Sequence, residues 1–341
     1  MFRGHTAPKV LAPLLLVVLA LSSACAPEGG EPTPEAGAGA SPGSPAPRDV
    51  ALPEGAEAIS FLGDTLFIPT LPEAVQADRL ARFQEAEGAL ESDPEGADAL
   101  IWMGRRTAYL GRYRDAIDIY GYALTLHPDD ARLYRHRGHR YVSVRELDAA
   151  IADFRRAVAL TRGRPDEVEP DGQPNALGIP TSTLQFNIWY HLGLAYYLKG
   201  DFEAAADAYD SCAAVSVHPD SKVATAYWRV MTLKRLGRTD EAETVLAEIG
   251  PDEEVIESGG YLDLLLLHKG EKTAEDLIGP AGSDATLEST TSGYGVGMWY
   301  LLNGDEAEAR RIFTRVRSGR DQWAAFGFLA AEAELARMGA R

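Results

Sequence analysis

The chain has 341 residues, of which 45% are hydrophobic and 25% are charged, a balance typical of soluble globular proteins. Its formal net charge of −18 argues against general nucleic-acid binding, because proteins of that class usually present a basic face. The length suffices for one large domain, for two ordinary domains or for an array of repeats.

The first 24 residues are predicted to be an export signal. Arg3 and Lys9 form a short positive region ahead of VLAPLLLVVLAL (10–21). Twelve apolar residues are too few for a comfortable transmembrane helix, but they suit the core of a signal peptide. We therefore expect the mature protein to be exported.

The residues that follow, SSAC, resemble the lipobox of bacterial lipoproteins, with Ser22 in place of the usual large apolar residue. This resemblance implies that Cys25 is lipidated and becomes the first residue of the mature protein. In that family an Asp after the cysteine favours the inner membrane, and Ala26 does not carry that signal. The resemblance thus implies a lipid anchor in the outer membrane, facing the periplasm. The alternative is ordinary secretion with cleavage near Ala24.

Residues 25–50 are rich in Pro, Gly, Ala and Ser and offer almost nothing to bury, so they are predicted to form a disordered tether. Residues 51–96 are predicted to be a leading segment that contains one helix of an incomplete repeat, within 78–94. Beyond the anchor cysteine the chain has one further cysteine, Cys212, so the sequence predicts no intrachain disulfide framework.

A repeat with a period of 34 residues follows. Gly104 and Gly138 are separated by this interval, and so are Ala116 and Ala150. A third unit, around Gly193, begins later because a polar, proline-rich stretch precedes it. The small residues are expected where two antiparallel helices approach each other closely.

This spacing resembles the tetratricopeptide repeat. The resemblance implies an all-α fold, a right-handed α-solenoid of stacked antiparallel helix pairs. Repeat units 1 and 2 are expected at 97–163, an insertion loop at 164–185, and units 3 and 4 at 186–249. Residues 250–341 are expected to hold degenerate repeats and a C-terminal capping helix. The acids of the insertion loop suggest that it folds back over the neighbouring arginine-rich repeat; the alternative is a solvated insertion without a role.

The stretch ARLYRHRGHRYVSVR (131–145) holds five arginines, two histidines and no acid. Helical neighbours recur at three and four residues, so Arg132, Arg135 and His139 are predicted to share a face, with His136 beside it. In the repeat family this face of the first helix lines the concave surface. The complete predicted groove consists of Arg105, Tyr109, Arg132, Arg135, His136, His139, Tyr190 and His191.

Guanidinium groups pair with carboxylates and phosphates, so this cluster favours an acidic peptide or protein partner. The family's carboxylate clamp is not reproduced, because Ile101 and Arg105 stand where a lysine and an asparagine are expected. Two alternatives remain. The arginines could be paired within a purely structural spacer, or a pocket closed by the loop could bind a small anion, as in a solute-binding protein or an enzyme.

The sequence contains no H-E-x-x-H and no phosphate-binding G-x-x-x-x-G-K-[ST]. Its G-x-S-x-G string, GASPG (39–43), lies in the predicted tether, where no strand and helix are expected to form a nucleophile elbow. His136 and His139 supply at most half of a metal site, beside arginines that would repel a cation. We therefore expect no enzymatic activity, no metal and no cofactor. The sequence predicts a membrane-tethered scaffold of the bacterial cell envelope whose partner is a protein or acidic peptide, and not a nucleic acid.

Overall fold

The computed structural model describes residues 52–279 and 286–339. The predicted signal peptide, the lipidation site Cys25 and the predicted tether lie outside the described residues. Within the described residues, no helix has the length and apolarity needed to cross a membrane.

Helices dominate the described residues and follow one another in antiparallel pairs. They are α1 (Glu73–Ser92), α2 (Ala97–Tyr109), α3 (Tyr113–Leu126), α4 (Ala131–Ser143), α5 (Leu147–Thr161), α6 (Leu184–Lys199), α7 (Phe202–Val215), α8 (Pro219–Arg235), α9 (Thr239–Ala247), α10 (Gly259–Lys269), α11 (Ala274–Leu277), α12 (Leu287–Leu302), α13 (Glu306–Ser318) and α14 (Phe326–Arg337). The predicted all-α solenoid is confirmed, apart from one small hairpin that precedes α1.

Five helix pairs are each held by a close approach between two residues that lie sixteen positions apart. In four pairs, a Cβ added to a glycine of the first helix would come within 3 Å of an aromatic ring of the second. These pairs are Gly104 with Tyr120, Gly138 with Phe154, Gly193 with Tyr209, and Gly297 with Phe313. In the remaining pair, Val230 and Leu246 occupy the two positions and are both buried. A larger residue on α8 is thus matched by a smaller one on α9, which keeps the interior close-packed.

The hairpin consists of β1 (Ala56–Ile59) and β2 (Thr65–Phe67), which pair antiparallel. Glu57 attaches the hairpin to the helices, because its carboxylate accepts a hydrogen bond of 2.9 Å from the backbone N–H of Arg114. The Arg114 side chain returns a hydrogen bond of 2.7 Å to the Glu57 carbonyl. These strands could not be predicted from the sequence, because segments of four and three residues are too short to show an alternating pattern.

The first helices of the pairs form the inner layer, since α2, α4, α6, α8, α10 and α12 contact one another in turn. The helix predicted near the C-terminus is α14, which packs against α12 and α13 and also contacts α6 of this inner layer. The Phe326 ring packs against His139 of α4 and His191 of α6, and Arg337 donates to the Leu198 carbonyl at the end of α6. Most of α14 is buried by these contacts.

Candidate functional site

The insertion loop (residues 162–183) connects α5 to α6 and crosses the N-terminal half of the array. Its carbonyls at 170 and 172 accept hydrogen bonds from Arg105 and Arg106 of α2, at 2.8 and 2.6 Å. Further along the loop, Thr181 donates to Glu257, just before α10, at 2.8 Å. The loop therefore folds back over the arginine-rich repeats and also reaches the later part of the array.

Arg135 lies under this loop and is almost completely buried. Its Nε is 2.9 Å from Oε2 of Glu169, a loop carboxylate that is equally buried. On the other side, Nη1 lies 3.2 Å from Nδ1 of His136. Burial lowers the pKa of Arg135, and the Glu169 charge opposes that effect. Arg135 was expected to face an open groove, but its charge is paired with a carboxylate of the protein's own insertion loop.

Three predicted groove residues, His136, His139 and His191, form a cluster of imidazoles beneath α14. The ring centroids of His139 and His191 are 4.3 Å apart, and both rings contact Phe326. Burial lowers the pKa of all three well below the usual value for histidine, and nearby arginine charges lower it further. The cluster is therefore neutral at pH 7. Within the part of the chain that the structure describes, no group of three or more His, Cys, Asp or Glu side chains is arranged so that it could hold a metal ion.

Tyr190 was predicted to line the groove, but it is a buried core residue. Its hydroxyl accepts a hydrogen bond of 2.8 Å from Trp228 Nε1 and donates one of 3.3 Å to Tyr261. Burial raises the pKa of this phenol well above its usual value. The side chain is used for packing between α6, α8 and α10, since each of its polar contacts is already satisfied.

Two ion pairs, one with an acid of its own repeat and one with an acid of the preceding repeat, hold Arg132 in place. Its Nη2 lies 2.6 Å from Asp130, the N-cap residue of α4, and its Nη1 lies 2.7 Å from Asp98 of α2. None of its described contacts reaches the insertion loop or α14. The expectation that Arg132 and Arg135 act together on one ligand is therefore corrected, because nearby carboxylates hold Arg132 between two repeats.

Arg105 and Tyr109 lie at the N-terminal end of the inner layer, where the loop approaches very closely. A Cβ added at Gly172 would lie 1.8 Å from the Tyr109 hydroxyl and 2.7 Å from Nη2 of Arg105, so a side chain at this point of the loop would displace Tyr109 or Arg105. The Arg105 guanidinium is buried and lies 4.5 Å from the centroid of the Trp102 ring. Of this pair, only Tyr109 keeps an appreciable exposed surface.

Two carboxylates of α14 that were not among the predicted site residues, Glu332 and Glu334, are fully buried. Glu332 accepts from Nη2 of Arg145 at 2.9 Å and from the backbone N–H of Phe61 at 2.5 Å. Glu334 pairs with Arg337 at 2.7 Å and with Arg235 of α8 at 3.3 Å. The sequence contained a sign of them, since two acids lie within the otherwise apolar run FGFLAAEAEL (326–335). Acids on a buried helix require charged or hydrogen-bonding partners. The inner face therefore does bind carboxylates, and they belong to this chain.

The predicted concave groove is consequently not open. The insertion loop covers Arg105 and Arg135, and α14 covers the imidazole cluster. Both segments bring acids to arginines of the array, which satisfies charges that the local sequence leaves unpaired.

Comparison with known proteins agrees with this architecture. The tetratricopeptide repeat family matches residues 103–166 and 184–219. No curated protein matches the chain significantly. Among solved structures, a tetratricopeptide repeat protein from Parabacteroides merdae has a TM-score of 0.46 and 15% identity, covering 76% of this chain and 93% of its own. MamA has a TM-score of 0.40 and 18% identity, covering 59% and 95%, and YrrB has 0.39 and 16%, covering 68% and 91%. The family match, the repeat spacing and the stacked helix pairs together show that the chain contains tetratricopeptide repeats over residues 103–166 and 184–219.

Proposed function

We propose that the protein is a membrane-tethered scaffold that binds an acidic segment of a partner protein in the bacterial cell envelope. One observation carries the proposal. Arg79, Arg105 and Arg106 donate to backbone carbonyls, and among the described residues none of them has an ion pair with a carboxylate. In a protein of net charge −18, this local excess of positive charge would attract an acidic partner.

The inner face supports the choice of carboxylates as the ligand chemistry. Arg135 holds Glu169 of the insertion loop, and Arg145 holds Glu332 of α14. Guanidinium groups match carboxylates in both geometry and charge, and these intramolecular pairs are examples from the protein itself. An acidic segment of a partner would use the same interaction at arginines that are still without a carboxylate.

The two alternatives from the sequence are less well supported. A small-anion pocket around Arg135 would need room beside its guanidinium, and Glu169 fills that position. A spacer with all its arginines paired agrees with Arg132 and Arg135 but not with Arg79, Arg105 and Arg106. Binding of a protein segment, without catalysis, therefore accounts best for the uncompensated charges.

The tether is tested through Cys25. The parent protein and a Cys25→Ala variant would be expressed in a bacterial host and partitioned between a detergent phase and an aqueous phase. A lipidated parent is expected in the detergent phase and the variant in the aqueous phase. A parent that partitions into the aqueous phase would contradict lipid anchoring and support ordinary secretion.

The partner is tested by chemical cross-linking of the full-length protein in intact envelopes, followed by mass spectrometry. We expect the cross-linked partner peptides to be rich in Asp and Glu. Their yield should fall as the ionic strength is raised, because exposed charges are screened over roughly 8–10 Å at physiological salt. Cross-links mainly to neutral or basic peptides, or a yield independent of salt, would contradict an acidic partner.

A further inference from the structure

We infer that the acidic segment binds in a cleft between α1, the C-terminal half of α2 and the tip of the insertion loop, an inference that rests on the proposed function. The cleft has a volume of about 420 Å³, within the usual range for ligand sites. Its principal lining residues are Val75, Asp78, Arg79, Arg82, Arg106 and Tyr109. It lies beside the covered inner face, so a partner can reach it without displacing the loop or α14.

The cleft carries net positive charge. Among its described lining residues Asp78 is the one acid, and it is paired with Arg82 at 3.0 Å. Arg79 donates one hydrogen bond to the Tyr109 carbonyl at 2.5 Å, and Arg106 donates one to the carbonyl of residue 172 at 2.6 Å. A guanidinium has five N–H donors, so both side chains keep donors for a ligand.

Arg106 is also held in position before any ligand arrives. Its guanidinium lies 4.7 Å from the centroid of the Trp102 ring and 5.8 Å from that of Tyr109. Burial lowers the pKa of Arg106, and the charges of Arg82 and Arg105 add to that effect, while Tyr109 and Glu85 oppose it. A fixed side chain loses little conformational entropy on binding.

The walls of the cleft favour a peptide over a free phosphate. Val75 is 38% exposed, and Ala74 and Pro174 line the same space. A phosphate would use the arginines and leave this apolar surface uncovered. A segment with carboxylates next to an apolar side chain would use both, so we assign the cleft to an acidic peptide segment that carries an apolar residue.

The first test changes the charge at Val75 in the full-length protein. The probe is a fluorescein-labelled peptide of glutamates interrupted by leucines, and the readout is fluorescence anisotropy. Val75→Glu is expected to weaken binding roughly tenfold, because it places a carboxylate among the arginines. Val75→Lys is the matched control and should bind at least as tightly as the parent. Equal binding by both variants would overturn the assignment of the site.

The second test removes one arginine. Arg106→Gln should weaken binding of the same peptide roughly tenfold, whereas Arg155→Gln, an exposed arginine on α5, should change it less than twofold. Similar circular-dichroism melts for both variants would show that the fold is intact. Equal loss in both would mean that the peptide senses overall charge, which overturns the cleft.

Three further outcomes distinguish a wrong binding site from a wrong proposed function. If the parent binds the peptide but the cleft variants bind as tightly, the cleft is wrong and an acidic partner is still supported. If inorganic phosphate displaces the peptide with equal affinity, the cleft is a small-anion site and peptide recognition is overturned there. If the parent does not bind the peptide, the inference is wrong. The proposed function is then tested independently by the cross-linking experiment in envelopes.

Discussion

Arg145 occupies a backbone position that favours glycine, and its replacement by glycine tests how the inner face is held together. In the other helix pairs the turn between the two helices has a glycine with positive φ, seven residues after the close-packing position: Gly111, Gly200, Gly237 and Gly304. Arg145 adopts the same left-handed conformation with φ 67°. A comparison of the repeats alone would therefore recommend Arg145→Gly as a stabilising change.

The contacts of Arg145 predict the opposite. Its Nη2 lies 2.9 Å from Glu332 and also donates to the Trp323 carbonyl at 2.9 Å, while the guanidinium lies against the Trp323 ring. The side chains of Arg145 and Glu332 are 4% and 0% exposed, so glycine would leave a buried carboxylate without its partner. Removing one partner of a buried pair costs about 3–5 kcal/mol. Relief of the left-handed strain returns about 1 kcal/mol, which leaves a net loss of about 2–4 kcal/mol.

Urea unfolding would measure this loss, and amide hydrogen exchange would locate it. Exchange in α14 is expected to accelerate in Arg145→Gly, because this pair ties the helix to the turn between α4 and α5. The single variants Arg145→Gly and Glu332→Gln and the double variant form a double-mutant cycle, in which the double variant should be less destabilised than the sum of the singles. An Arg145→Gly protein as stable as the parent, or more stable, would refute the reasoning.

Three further predictions concern the loop, the helix pairs and the imidazoles. Glu169→Gln should reduce the free energy of unfolding by about 3 kcal/mol, since it leaves a buried arginine unpaired, and should speed hydrogen exchange in the loop; unchanged exchange would contradict this. Gly193→Ala should cost about 1–2 kcal/mol in urea unfolding, because its Cβ would lie 2.7 Å from the buried Tyr209 ring, whereas Gly88→Ala, in open space on α1, should be neutral or stabilising. Because the pKa of His136 is lowered in the folded state, the unfolded state takes up a proton below about pH 6.5 and the folded state does not. The contribution of neutral His136 to the free energy of unfolding is therefore complete above that pH, and it falls by up to about 1.4 kcal/mol per pH unit below it. Urea unfolding at pH 7 and pH 5 should show a smaller loss in His136→Gln than in the parent.

The helix pairs could be predicted from the sequence because they depend on local spacing. Gly104 and Tyr120 meet within one helical hairpin, and the same sixteen-residue interval recurs down to Gly297 and Phe313. Such contacts involve residues close together in the chain, so their pattern survives as a repeat in the sequence. The face of α4 that points inward could be predicted in the same way, and Arg135 and His136 do lie on the inner side.

Which segments cover that inner face could not be predicted. Glu169 reaches Arg135 from an insertion loop, and Glu332 reaches Arg145 across 187 residues of sequence. No periodicity connects such partners, because their meeting depends on how the completed stack places the loop and the last helix. Helical spacing indicated a positively charged face, and tertiary packing turned most of that face into a buried, internally paired interior. The cleft beside α1 keeps arginines without a carboxylate partner because the insertion loop meets Arg106 with a backbone carbonyl and not with one of its acids.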